Sequence, residues 1–176
     1  LSEDKELTFT PIINYGGGVD SSQRFKFDYN QILSGGNLKT NLSFDTTFED
    51  QNSEKWLKEA SLINVYNQNI NEKFNLKLSS ALETSKNYIQ QTNPNNDLSY
   101  SSSLHTSLDI YGYNFNKVDD KLRINLTNYQ SNQSDEDNAT LPTILPYIEF
   151  YTGENNIRKY KYSNNFEFYN IMRGNS

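Results

Sequence analysis

The chain has no cysteine, one tryptophan, one methionine and four prolines among 176 residues. Without cysteine there is no disulfide framework, no thiolate metal site and no thiol chemistry. Long apolar runs are missing too. No stretch approaches the ~18 consecutive apolar residues of a membrane-spanning helix, and the mean hydropathy is −0.84. Basic excess is absent: 16 Lys and Arg stand against 22 Asp and Glu, a formal net charge of −6. That balance repels a phosphate backbone, so nucleic acid is excluded as a partner. The first six residues, Leu1 to Glu6, are charged where a signal peptide would be apolar. Each glycine cluster joins strand-like to strand-like sequence, so no phosphate-cradling loop at a helix start is expected. No cofactor or metal is expected either.

What the chain does have is aromatics, 14% of residues, with 13 Tyr and 10 Phe. Disordered segments are depleted in these residues. The hydrophobic fraction is nevertheless only 34%, against about 45–50% in typical domains. About one residue in seven is Asn, as AT-rich coding sequence would give, and the sequons at Asn41, Asn125, Asn132 and Asn138 are expected by chance in so Asn-rich a chain.

Periodicity sets the fold class. Phe25, Phe27 and Tyr29 alternate with Arg24, Lys26, Asp28 and Asn30. Leu38, Leu42, Phe44 and Phe48 share one parity, with Lys39, Asn41, Ser43 and Asp45 on the other. The same period of two runs through Phe74–Leu78, Leu104–Ile110, Leu122–Leu126 and Tyr160–Phe168. One face therefore meets an apolar medium and the other meets water. The fold class is all-β, with about nine antiparallel strands near 6–15, 23–33, 37–49, 56–69, 72–83, 98–113, 120–130, 143–152 and 158–172. Gly16-Gly17-Gly18 and Ser34-Gly35-Gly36 mark short turns. Polar connections span Asp50 to Lys55, Thr84 to Asp97 and Gln130 to Thr140.

Soluble sandwiches alternate as well, but with strands of about 5–6 residues. Transmembrane strands need about 9–11. Strand length and the Tyr/Phe-heavy apolar parity favour a transmembrane β-barrel segment. Tyr15, Tyr66, Tyr100 and Tyr151 near strand ends suit interfacial girdles, and suit core or rim positions equally.

Two stretches carry a family resemblance. One is Leu7 to Tyr15 with Pro11, a glycine turn, Arg24 to Tyr29, a second turn, and Leu38 to Phe44. The other is Leu78 to Ile89 with its Ser-x-x-Tyr-Ile segment, Tyr100 to Leu104, Leu141 to Phe150, and Phe166 to Asn170. In this order they resemble the C-terminal barrel domain of the LptD family of lipopolysaccharide-assembly proteins. The resemblance covers nearly the whole chain. It implies a large barrel in the bacterial outer membrane that passes lipopolysaccharide to the outer leaflet through a lateral opening. It implies as partners lipopolysaccharide, membrane lipid, an LptE-like lipoprotein plug and periplasmic bridge proteins. Pro11 matches a proline of the family's lateral gate, and an edge proline with no gating role fits the residue equally. No jelly-roll precedes the barrel strands here, the first strand is unmatched, and Arg173 to Ser176 lacks the usual terminal aromatic. Residues 1–176 are thus expected to be an internal part of one barrel domain.

For chemistry, His105, Ser107 and Asp109 share one strand face with Ser103. A His-x-Ser pair on a strand resembles the outer-membrane phospholipase. Same-face neighbours lie ~6–7 Å apart, too far for a direct nucleophile–base bond. Asp135-Glu136-Asp137 reads as a solvated loop, with divalent-cation bridging as the functional option. Asn93 to Asp97 reads as a turn, and Arg158 to Lys161 as strand decoration. The expectation is a non-enzymatic transport barrel. Two alternatives stand beside it: a soluble or surface carbohydrate-binding β-sandwich, and a phospholipase-like barrel enzyme.

Overall fold

The computed structural model describes residues 4–13, 22–47, 57–132 and 138–173. They form one nine-stranded antiparallel sheet in sequence order: β1 (Lys5–Ile13), β2 (Ser22–Leu33), β3 (Gly36–Thr47), β4 (Leu57–Asn69), β5 (Phe74–Glu83), β6 (Ser103–Tyr113), β7 (Lys121–Ser131), β8 (Pro142–Ile157) and β9 (Tyr160–Arg173). The all-β, nine-strand expectation holds. β1 and β9 do not pair with each other, so the sheet is open.

Outside the register shifts in β8, register keeps the sequence parity on one face across strands, because partners in an antiparallel ladder point the same way. Arg24 pairs Asp45, Asp45 pairs Glu59, Lys77 pairs Asp109, and Asp109 pairs Asn125. On the other face Phe9 pairs Phe27, Phe25 pairs Phe44, and Leu42 pairs Leu62. Their rings pack against each other at a tilt across strands, Phe9 to Phe27 at 4.8 Å and Phe25 to Phe44 at 5.4 Å between centroids.

Burial is inverted relative to a soluble sheet. Asp45 and Asp109 on the polar face are each 6% exposed, whereas Phe9 and Phe166 on the apolar face are 50% and 56% exposed. Only four apolar side chains are buried among the described residues: Ala81, Tyr88, Ile89 and Leu104. Two of them sit in α1 (Tyr88–Thr92), a short helix in the β5–β6 connection. No described helix is long and apolar enough to cross a membrane.

The two ends of the sheet differ. At one end the connections have 2, 4, 7 and 2 residues, and at the other 8, 9, 19 and 10, by the strand bounds. Short connections are stitched by side chains. Asn71 Oδ1 accepts from the Lys73 and Phe74 amides. Buried Asp120 accepts from Lys117 N at 2.8 Å and from Gly153 N on β8 at 2.9 Å. Gly153 is required there, since a Cβ would lie 2.1 Å from the Val118 carbonyl oxygen. Gly35 holds φ +81 in the two-residue turn between β2 and β3.

The structure revises several sequence-based boundaries. β6 starts at Ser103 rather than near 98, because Asn96 caps a 3-10 turn over Asp97–Tyr100. β8 runs to Ile157, so Arg158 and Lys159 form the hairpin turn, with Arg158 at φ +57. Two register shifts in β8 against β9 supply the extra residues. The Gly16–Gly18 cluster, Tyr15 and Asp135–Asp137 lie outside the described residues.

Candidate functional site

Across β5 to β9 the polar face is hollowed into a cavity of about 620 Å³. Asp109 sits in its floor. Its Oδ1 accepts from Asn125 Nδ2 at 2.9 Å, from Arg123 Nη2 at 3.2 Å and from the Tyr111 hydroxyl at 3.3 Å. The Thr127 hydroxyl donates to Asn125 Oδ1 at 2.8 Å and fixes that amide's orientation. Arg123 lies over two rings, 5.5 Å from the Tyr111 centroid and 5.7 Å from that of Tyr147, a cation–π arrangement. Strand order explains this arrangement: Tyr111, Arg123 and Glu149 are successive register partners, with Asp109, Asn125 and Tyr147 one step along.

His105 and Tyr169 reach the cavity from β6 and β9, together with Lys77 from β5. Among the described residues Lys77 makes no ion pair. Flat tyrosine faces beside Arg, Lys, Asn and carboxylate groups suit a polar, hydroxyl-rich ligand bearing anionic groups.

The structure separates the members of the phospholipase-like constellation. His105, Ser107 and Asp109 do line one cavity, as their shared parity requires. Ser107 Oγ, however, lies 3.0 Å from Ser79 Oγ on β5, and His105 packs near the Tyr129 ring at 6.3 Å. Asp109 is held by Arg123 and Asn125. Among the described residues no hydrogen bond joins His105 to Ser107 or to Asp109, and Ser103 sits at the far end of β6, paired with Ser131. Nor do three or more His, Asp or Glu side chains converge on a possible metal position there.

Other candidates fall as follows. Pro11 lies on the edge strand β1, opposite Phe25. Ile32 N donates to Asp4 O at 2.8 Å, and the register is unbroken from there to Pro11. Even-numbered β1 residues therefore bond toward β2, and Pro11 points its nitrogen at the free edge. It costs the β1–β2 ladder nothing and removes one donor from the open side. Tyr66 is on the apolar face, opposite Leu38 and Leu78. Tyr151 is on the polar face, under Lys121 at 5.9 Å, and so is no lipid-facing girdle residue. Tyr100 stands in the long connection. Asn93 to Asp97 is a turn, as expected: Ser99 Oγ donates to Asn93 O at 2.6 Å, and Asn96 Oδ1 accepts from Leu98 N. The sequon residues Asn125 and Asn132 are buried in hydrogen-bonded positions.

Sequence reading missed Arg123 as the centre of the site. Nothing in the alternation marks it, since its partners come from β6 and β8 and depend on register. In the sequence, 84–97 reads as a polar loop. The signal was there: Tyr88-Ile89 is an apolar pair in an otherwise polar connection.

Compared with protein-family models, curated proteins and solved structures, the chain matches none.

Proposed function

We propose that this sheet is a stretch of the wall of an LptD-like outer-membrane barrel that moves lipopolysaccharide to the outer leaflet, without enzymatic activity. The observation that carries this reading is the inverted burial. A nine-stranded sheet whose ion-paired face is crowded and whose Phe/Leu face is uncovered fits lipid on one side and an aqueous lumen on the other. Strands of 9 to 16 residues and short turns at one end with long connections at the other support it. The resemblance through Pro11 and the Ser-x-x-Tyr-Ile segment supplies the family. A soluble sandwich would need a second layer on the apolar face, and the described residues provide none. In this reading the β5–β9 cavity faces the lumen, where Arg123, Lys77 and the tyrosines contact sugar and phosphate groups. The lipoprotein plug and the periplasmic bridge remain the partners.

Two experiments test the two halves of the proposal. Single cysteines in a cysteine-free full-length protein probe the medium: Leu42→Cys should react with a lipid-soluble maleimide and His105→Cys with a membrane-impermeant one. Equal labelling of both by the impermeant reagent argues against the barrel. Depleting the full-length protein should stop newly made lipopolysaccharide from reaching the cell surface. Surface delivery at the normal rate under depletion refutes the transport role.

A further inference from the structure

The β5–β6 connection, residues 84–102, folds back over the polar face instead of leaving it. It starts on β5 and reaches across β4 and β3 to β2. The Tyr88 hydroxyl donates to Asp45 Oδ1 at 2.6 Å, and the Arg24 guanidinium lies 5.6 Å from the Tyr88 ring centroid. Arg24 itself holds Asp45 through both carboxylate oxygens, at 2.7 and 2.8 Å. Lys26 donates to the Thr92 carbonyl.

The near side is fastened as firmly. Glu83 takes the amides of Asn87 and Ile89 at 3.1 and 3.0 Å. Asn132, at the end of β7, accepts from Asn87 N at 2.8 Å and donates to Ser101 O at 3.1 Å. Ile89 completes the hydrophobic core cluster with Ala81 and Leu104, against Ile63 and Leu98. On the polar parity of β3 and β4, Ser43 and Ser61 are 1% and 4% exposed, although a single sheet would leave that face open to water. A solvated loop gains nothing from two polar anchors, an ion-pair lock and an apolar plug. This segment is built to stay down.

We propose that residues 84–102 form an anchored constriction that limits the passage of hydrophilic solutes along the polar face, with Arg24, Asp45 and Tyr88 as its lock. The proposal rests on the reading of the polar face as the wall of an aqueous lumen. If solutes travel along that face, a strap crossing β4, β3 and β2 narrows their path at the end with the long connections. It leaves the β5–β9 cavity uncovered. The strap thus divides the face into a blocked half and an accessible half.

The test uses the full-length protein purified in detergent and reconstituted into planar bilayers. Replacing residues 86–100 with a short Gly-Ser linker should raise the single-channel conductance several-fold and increase liposome permeability to oligosaccharides. Tyr88→Ala should give a smaller increase. In parallel, Ser43→Cys in a cysteine-free background should resist a membrane-impermeant maleimide, and should label at least ten times faster once the strap is replaced. Retained heat-modifiable mobility on gels identifies the variants that fold. A folded strap-replaced protein with unchanged conductance and unchanged Ser43→Cys labelling overturns the constriction while leaving the barrel reading intact. A full-length protein that stays monomeric in water without detergent overturns both, and the two failures are told apart by that solubility alone.

Discussion

Two arginine–aspartate pairs stand on the same face of the sheet and have different surroundings. Arg24 and Asp45 are direct cross-strand partners, joined through both carboxylate oxygens, with side chains 19% and 9% exposed. Arg123 reaches Asp109 diagonally and approaches one oxygen at 3.2 to 3.3 Å, and its side chain is 42% exposed. The chemistry is the same in both, and the difference is what lies above. Tyr88 covers the first pair and adds a third bond to the carboxylate. Nothing described covers the second, and its guanidinium rests on tyrosine faces that line a cavity. Desolvation turns a wall ion pair into a lock, while an uncovered pair remains free to meet a ligand.

The largest effect should come from removing the arginines in turn. Arg24→Met leaves the Asp45 carboxylate without its counter-ion in a nearly closed environment, the Tyr88 hydroxyl still donating to it, and should cost about 3 kcal/mol, as broken buried pairs do. Arg123→Met leaves Asp109 with Asn125, Tyr111 and water, and should cost about 1 kcal/mol or less. Denaturant unfolding of the purified protein measures both. Equal costs would erase the distinction between lock and open pair.

Tyr88→Phe sharpens the same contrast. It keeps the ring on Arg24 and deletes the hydroxyl bond to a charged acceptor, for an expected loss of about 1.5 kcal/mol. Tyr111→Phe deletes a 3.3 Å bond in the open cavity and should cost about 0.5 kcal/mol. The Tyr88 phenol also has a pH signature. Burial, and then the Asp45 carboxylate, push its ionisation above the ordinary value of 10.0. A folded-state value raised in this way stabilises the strap fully below pH 10. The contribution disappears as pH climbs from there through the folded value. Spectroscopic titration of tyrosinate should show the last phenol to ionise missing from the Tyr88→Phe protein. The Ser43→Cys site should open to thiol reagents only in strong alkali.

How much of this was legible beforehand follows from what period-two alternation can encode. Parity assigned Phe25 and Phe44 to one face and Arg24, Asp45 and Asp109 to the other, and both assignments stand in the sheet. Register was beyond it. Nothing in the sequence says that Arg24 meets Asp45 squarely while Arg123 meets Tyr111, because that depends on turn lengths fixed by Gly35 and Asp120. β8 shows a sharper limit. Two register shifts there reset which parity faces which side, so Ile144 joins Thr127 on the polar face. The strap escaped for a different reason. Its helix has five residues, too short for a helical period, and its burial depends on strands up to 66 positions away, as the Lys26–Thr92 contact shows.

The smallest change is the most informative about the open pair. Arg123→Lys keeps the positive charge beside Asp109 but loses the planar fork and its fit over the Tyr111 and Tyr147 rings. Since the pair is part-exposed, the stability change should be about 0.5 kcal/mol or less. If the cavity receives sugar and phosphate groups, photo-crosslinking of lipopolysaccharide at a probe placed on Tyr169 should fall several-fold in this variant. It should fall further in Arg123→Met, while Arg24→Met alters stability more than crosslinking. A lock and a reading head would then differ in kind: one variant weakens the fold, the other weakens contact with the cargo. Crosslinking that tracks stability across all three variants would instead reduce both pairs to the same structural role.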